Sequence, residues 1–142
     1  MPNDTAELRL AAWEAEEKLL GAILLGSSNY DGLNRGRRII NSVRRMVSSE
    51  DFHAQSKWGD TRNRRIYEAM LSTTLPPTVT NVERELARNH QLQKDDCLSL
   101  EQFFDTCPTY VDWPYYAGAV VDYAKRRNPN RKPPVSQGGI PL

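Results

Sequence analysis

Three sets of residues in this chain have the types and spacing to do chemistry. The first is acidic and imidazole-bearing. Asp95-Asp96 is the densest carboxylate pair, and His53 stands two positions after Asp51. A carboxylate pair holds a divalent cation only when further oxygen ligands complete the cage, and this sequence places none beside it. A general base needs a nucleophile within hydrogen-bond reach, and none is set next to His53. The pair therefore reads as solvated loop charge and His53 as a turn residue. The thiols and imidazoles fare no better. Cys97 and Cys107 lie ten positions apart, and His53 and His90 lie 37 apart, so no zinc-ligand spacing can be drawn. Both cysteines are read as free thiols of a reducing compartment. The glycine pattern of a phosphate-cradling loop is absent, as are the dinucleotide fingerprint, the zinc-protease helix and the nucleophile elbow. The residues point to a non-enzyme with no cofactor and no metal.

The second set is cationic. Arg35, Arg37, Arg38, Arg44 and Arg45 surround one predicted helix, and Arg62, Arg64 and Arg65 open the next, eight arginines without a lysine. Guanidinium forks suit phosphate and carboxylate partners. Only Trp58 lies between the clusters, whereas single-strand grooves interleave aromatics with charge. The favoured reading is therefore two basic outer faces that pair with acidic segments of the same chain. DNA binding through Arg37, Arg38, Arg44 and Arg45 is the alternative. The third set is aromatic: Tyr110, Trp113, Tyr115, Tyr116 and Tyr123 lie on and just before the last predicted helix. One helix face cannot bury all five, and tyrosine and tryptophan are enriched at interfaces. Trp113, Tyr115, Tyr123 and the neighbouring Arg126 are the candidate partner-binding residues.

The elements that must position these residues are helices. Leu8, Ala12, Ala15, Leu19, Ala22 and Ile23 fall at helical spacing, predicting a first helix over Thr5–Leu25 capped by Asp4 and Glu7, with Glu14, Glu16 and Lys18 outside the stripe. Gly21 inside it costs ~1 kcal/mol against alanine and predicts close approach by a neighbouring helix. A second helix is expected over Arg37–Val47, and a third after Asp60 or Thr61 around Ile66, Tyr67, Met70 and Leu71. Capping boxes at Thr80–Glu83 and Ser99–Gln102 predict the starts of the fourth and fifth. Asp112, with Pro114 in the first turn, opens a sixth that buries Trp113, Tyr116, Ala117, Val120, Val121 and Ala124. No run alternates as a strand does. After Arg127 the composition turns to proline and glycine. The chain is thus expected to be all-α, a compact bundle of about six short helices over residues 1–127 with a flexible tail over residues 128–142.

Charge is segregated along the chain. Residues 1–32 hold 2 basic and 6 acidic groups, residues 33–65 hold 9 and 3, residues 66–124 hold 3 and 9, and residues 125–142 hold 5 and none. The formal net charge of +1 over 142 residues hides these blocks. Mean hydropathy of −0.66 and the lack of any apolar run of about 20 residues exclude a membrane-spanning helix. The acidic N-terminus is no secretory signal, so the chain is read as cytoplasmic.

Ordered segments carry a family resemblance. Glu14-Ala15-Glu16 with Leu19-Leu20-Gly21-Ala22-Ile23-Leu24-Leu25 resembles the opening helix of the N-terminal domain of DnaB-type replicative helicases. Ser49-Glu50-Asp51-Phe52-His53 and Arg65-Ile66-Tyr67-Glu68-Ala69-Met70 follow in the family's order. So do Thr78-Val79 with Leu86 and Leu92, Cys107-Pro108-Thr109, Tyr116-Ala117 and Val120-Val121. The resemblance spans about residues 14–127 and implies an all-helical collar domain without ATPase activity. It implies helicase subunits, primase or a helicase loader as partners. The family's RecA-like domain, and the helical hairpin that pairs subunits, are not in this sequence. A monomer or weak dimer is therefore expected in isolation.

Overall fold

A computed structural model describes residues 6–28, 33–52 and 61–134. Six α-helices form among them: α1 (Ala6–Gly26), α2 (Leu33–Val43), α3 (Arg62–Ser72), α4 (Val79–Arg88), α5 (Asp96–Thr106) and α6 (Trp113–Arg127), with a 3₁₀ turn at Ser49–Asp51. His53 and Trp58 lie outside the described residues, as do the Asp4 cap and residues 135–142.

The second half of α1 is apolar on nearly every side, and helices with that pattern are buried. Leu19, Leu20, Ala22, Ile23 and Leu24 are all inaccessible. Around this axle α6, α5, α2 and α3 pack directly, while α4 closes the bundle against α3 and α5. Phe52 stacks on Tyr67 with ring centroids 4.6 Å apart, and the buried Tyr67 hydroxyl donates to the Val47 carbonyl at 2.6 Å. Burial pushes that phenol far above its ordinary range.

Four sequence expectations change, each for a local reason. Glu16, placed outside the α1 stripe, is buried because the Asn63 amide donates to its Oε1 at 3.0 Å. Helix α2 starts before Arg37 and ends at Val43, with Arg44, Arg45 and Met46 in a turn. Helix α4 starts two residues early, because the Thr78 hydroxyl, not that of Thr80, accepts from the Asn81 amide at 3.1 Å. Helix α5 starts three residues before the Ser99 box. Ser99 instead lies inside the helix and accepts from Arg62 at 3.3 Å. Helix α6 opens at Asp112 and Pro114 as expected and buries Tyr116, Ala117, Val120 and Ala124, while Trp113 and Val121, also expected inward, are only partly buried against the core.

The end of α4 is a Schellman closure. His90 sits at φ 58°, its amide bonds Ala87, and the Gln91 amide bonds Leu86. Inside that helix Glu85 is buried and accepts from Arg88, Ser72 and Asn89. The Arg88 bond foremost, then Ser72, holds its carboxyl at about 2 against an ordinary 4.5. A carboxyl depressed by folding contributes stability that is present above the unfolded value and lost as pH falls toward the folded one. Urea midpoints should therefore drop between pH 4.5 and pH 2 in the native chain, and drop less in Glu85→Gln.

A β-carbon at Gly118 on α6 meets nothing within 4 Å. Gly118→Ala is expected to raise stability by about 0.5–1 kcal/mol, the ordinary helix gain, read as a higher urea midpoint.

Candidate interaction surface

The outward side of α6 and the turn before it carry the aromatic candidates. Cys107-Pro108-Thr109 reverses the chain, and the buried Cys107 thiol points at the Lys18 and Thr109 carbonyls. Desolvation pushes this thiol upward, which favours its protonated form. From that turn Val111 emerges 64% exposed and Tyr115 76% exposed, the latter edge-to-face with buried Tyr116 at 6.0 Å. Trp113 and Tyr123 are half-buried and pack on the core. Arg126 is exposed and lays its guanidinium over the Tyr123 ring at 5.5 Å. The structure thus gives the four aromatic-side candidates two roles. Tyr115 and Arg126 reach solvent, and Trp113 and Tyr123 form the half-buried floor between them and the core.

The arginines divide as well. Arg62, Arg64 and Arg65, read from sequence as part of basic outer faces, turn inward. Arg62 pairs with Glu17 at 2.9 Å and lies over the Phe103 ring. Arg64 donates to the Ser49 and Phe52 carbonyls at the 3₁₀ turn. Arg65 forks onto Asp96, so Asp96 is a buried ion-pair partner and not solvated loop charge. On α2, Arg35 stacks over Tyr110 at 4.6 Å and Arg37 donates to the Thr74 carbonyl. Arg38 and Arg45 are exposed and Arg44 is half-buried.

Sequence reading missed one cluster altogether. Asp51 is 2% exposed, accepts from the Ser48 amide at 2.8 Å and takes both Nε and Nη2 of Arg131 at 2.6 and 2.8 Å. Arg131 also donates to Met46, and Arg127 to the Asp51 carbonyl. The segment just after α6 is thereby fastened to the 3₁₀ turn. The only sequence signal was the Ser48-to-Asp51 spacing of a capping box. Among the described residues no three His, Cys, Asp or Glu side chains converge as metal ligands, and no helix is long and apolar enough to cross a membrane.

An α1 axle ringed by short helices, with a Cys-Pro-Thr turn feeding an aromatic last helix, has a solved counterpart. The N-terminal domain of DnaB helicase from Mycobacterium tuberculosis matches at a TM-score of 0.64 and 24% identity, over 89% of this chain and 78% of that one. This chain has the DnaB N-terminal fold. No protein-family model matches the chain, and no curated protein matches it. The DnaB-like fold here is all-helical among the described residues, without the sheet of a RecA-like ATPase.

Proposed function

We propose that this chain is a protein-interaction module of a DNA-replication assembly. It docks primase or a helicase loader, contributes to helicase oligomerisation, and turns over no nucleotide itself. The observation that carries this reading is the Val111–Tyr115 surface at the start of α6, on a fold shared with a helicase N-terminal domain. A tyrosine standing 76% free of its own fold contributes little to stability, while it has the amphipathic body that interface centres favour. Trp113 and Tyr123 supply the apolar base of that surface, and Arg126 its charged edge.

Tyr115→Ala should weaken binding of a cognate primase C-terminal domain by about 1–2 kcal/mol, the cost of truncating a contact residue, with an unchanged melting temperature. Calorimetry reads the first and thermal unfolding the second. Unchanged affinity in Tyr115→Ala and Arg126→Ala alike would remove α6 from the interface. Parallel titration with DNA at rising salt tests the alternative, since phosphate contacts by Arg37, Arg38, Arg44 and Arg45 would give a steep negative slope.

A further inference from the structure

Sorting the arginines by partner leaves one helix face with uncancelled charge. Arg62, Arg64 and Arg65 are taken up inside the fold, whereas Arg38, Arg44 and Arg45 have no ion-pair partner among the described residues. Helix α2 turns Ile39, Ile40 and Val43 into the core. Asn34, Arg38, Asn41 and Arg45 follow one another at i, i+4, i+7 and i+11, and all four are exposed. The Arg44 amide bonds the Ile40 carbonyl and the Arg45 amide the Ser42 carbonyl, so the helical course carries through Arg45. The four positions form one outward strip, about 16 Å long at the rise of an α-helix. Arg37 and Arg44 flank it beside the loop that carries Leu75 and Pro77. Residues 32–49 hold five arginines and no acid.

The fold adds a second basic segment to the end of this strip. Arg131 donates to the Met46 carbonyl at 2.8 Å while its fork holds Asp51, which is thereby neutralised. Met46 directly follows Arg45, and the exposed Lys132 directly follows Arg131. Two basic blocks far apart in the sequence therefore meet where α2 ends. Lys132, too, has no ion-pair partner among the described residues.

We propose that this composite surface binds the phosphate backbone of double-stranded DNA. Arg38, Arg44, Arg45 and Lys132 supply the charge. Asn34, Asn41 and the exposed Ser42 place amide and hydroxyl donors between them, the mixture of side chains that phosphate contacts use. The strip equals the axial rise of about five base pairs. Other occupants fit it less well. Protein interfaces centre on apolar and aromatic side chains, and none of Asn34, Arg38, Asn41, Ser42 and Arg45 is either. A membrane-surface helix inserts its apolar face, and that of α2 is already in the core. A single strand is gripped by stacking, and the Tyr110 ring beside α2 is covered by Arg35. The inference goes beyond the proposed function, because it adds a nucleic-acid surface that shares no residue with the Tyr115 surface.

The test is fluorescence anisotropy of the whole chain with a labelled mixed-sequence DNA duplex of about 20 base pairs across a salt series. Four cationic contacts predict a slope of about −3 to −4 for log K against log salt. Arg38→Ala with Arg45→Ala should weaken binding at least tenfold at 50 mM NaCl and flatten the slope by about 2, and Lys132→Ala should flatten it by about 1. Arg38→Lys with Arg45→Lys keeps both charges and should keep the slope, so charge is separated from any effect on folding. Tyr115→Ala should bind the duplex as the native chain does, which makes failure here and failure of primase docking distinguishable. No duplex binding at 50 mM NaCl overturns the inference, and so does an affinity untouched by the alanine pair. A slope unchanged in Lys132→Ala removes the segment after α6 and overturns the composite surface. Tighter binding of the corresponding single strand, or of a polyglutamate peptide of equal charge, gives the strip to another partner and overturns it as well.

Discussion

Asp96→Ala should cost about 3–5 kcal/mol, because it strands a buried guanidinium. The Asp96 side chain is 3% exposed and that of Arg65 10%. Arg65 reaches it through Nη1 at 2.7 Å and Nη2 at 3.2 Å, and the Gln93 amide donates to the same carboxylate at 2.8 Å. Removing the carboxylate therefore leaves the guanidinium without its counter-charge, holding only the Gln91 carbonyl at 2.9 Å, and the Gln93 amide without its acceptor. Such a change costs more than the pair itself contributes, since forming it required desolvating both ions. The companion variant exposes that asymmetry. Arg65→Met with Asp96→Leu removes both charges and fills the space, and should lose far less than Asp96→Ala alone. Urea midpoints at neutral pH measure both. A cost below about 1 kcal/mol for Asp96→Ala would place the pair in the surface class, where ion pairs are worth that little.

This pair also shows where sequence reading stops. Arg38 and Arg65 have the same side chain and similar basic neighbours, yet one faces water and the other the core. What separates them is a carboxylate 31 residues downstream of Arg65. The same holds for Asp51, whose partner Arg131 lies 80 residues away in a stretch with the composition of a tail. Local pattern reports which residues are apolar at helical spacing, so the α1 axle and the buried side of α6 were legible. It reports less well where a helix is capped. The pattern pointed to Thr80, but the cap falls to Thr78, two residues earlier, whose hydroxyl accepts from the Asn81 amide while the Asn81 side chain is tied to the Pro76 carbonyl. On α6 the aromatic count correctly implied more rings than one face can hold. Only packing told Tyr115, standing free, from Tyr123, lying against the core.

Gly21→Val should cost more than about 3 kcal/mol, above the usual ~1–3 for overpacking. On propensity alone, replacing a mid-helix glycine should help. Here a β-carbon would overlap the Phe103 carbonyl oxygen and come within 2.9 Å of the Cys107 β-carbon. The first obstacle is backbone, and it is committed: the Cys107 amide donates to that carbonyl at 3.2 Å, closing the last turn of α5. The carbonyl can yield only if the end of α5 moves, and a β-branched side chain has few rotamers with which to evade it. Cys107→Gly in the same chain should recover only a small part of the loss, because the carbonyl stays where it is. Gly118→Ala, with open space on α6, gives the opposite sign and shows that the cost at Gly21 is contact and not helix propensity. The damage should extend beyond stability. The end of α5 feeds the turn from which Val111 and Tyr115 emerge. Any Gly21→Val chain that still folds should therefore lose partner binding through that surface, measured by the same calorimetry.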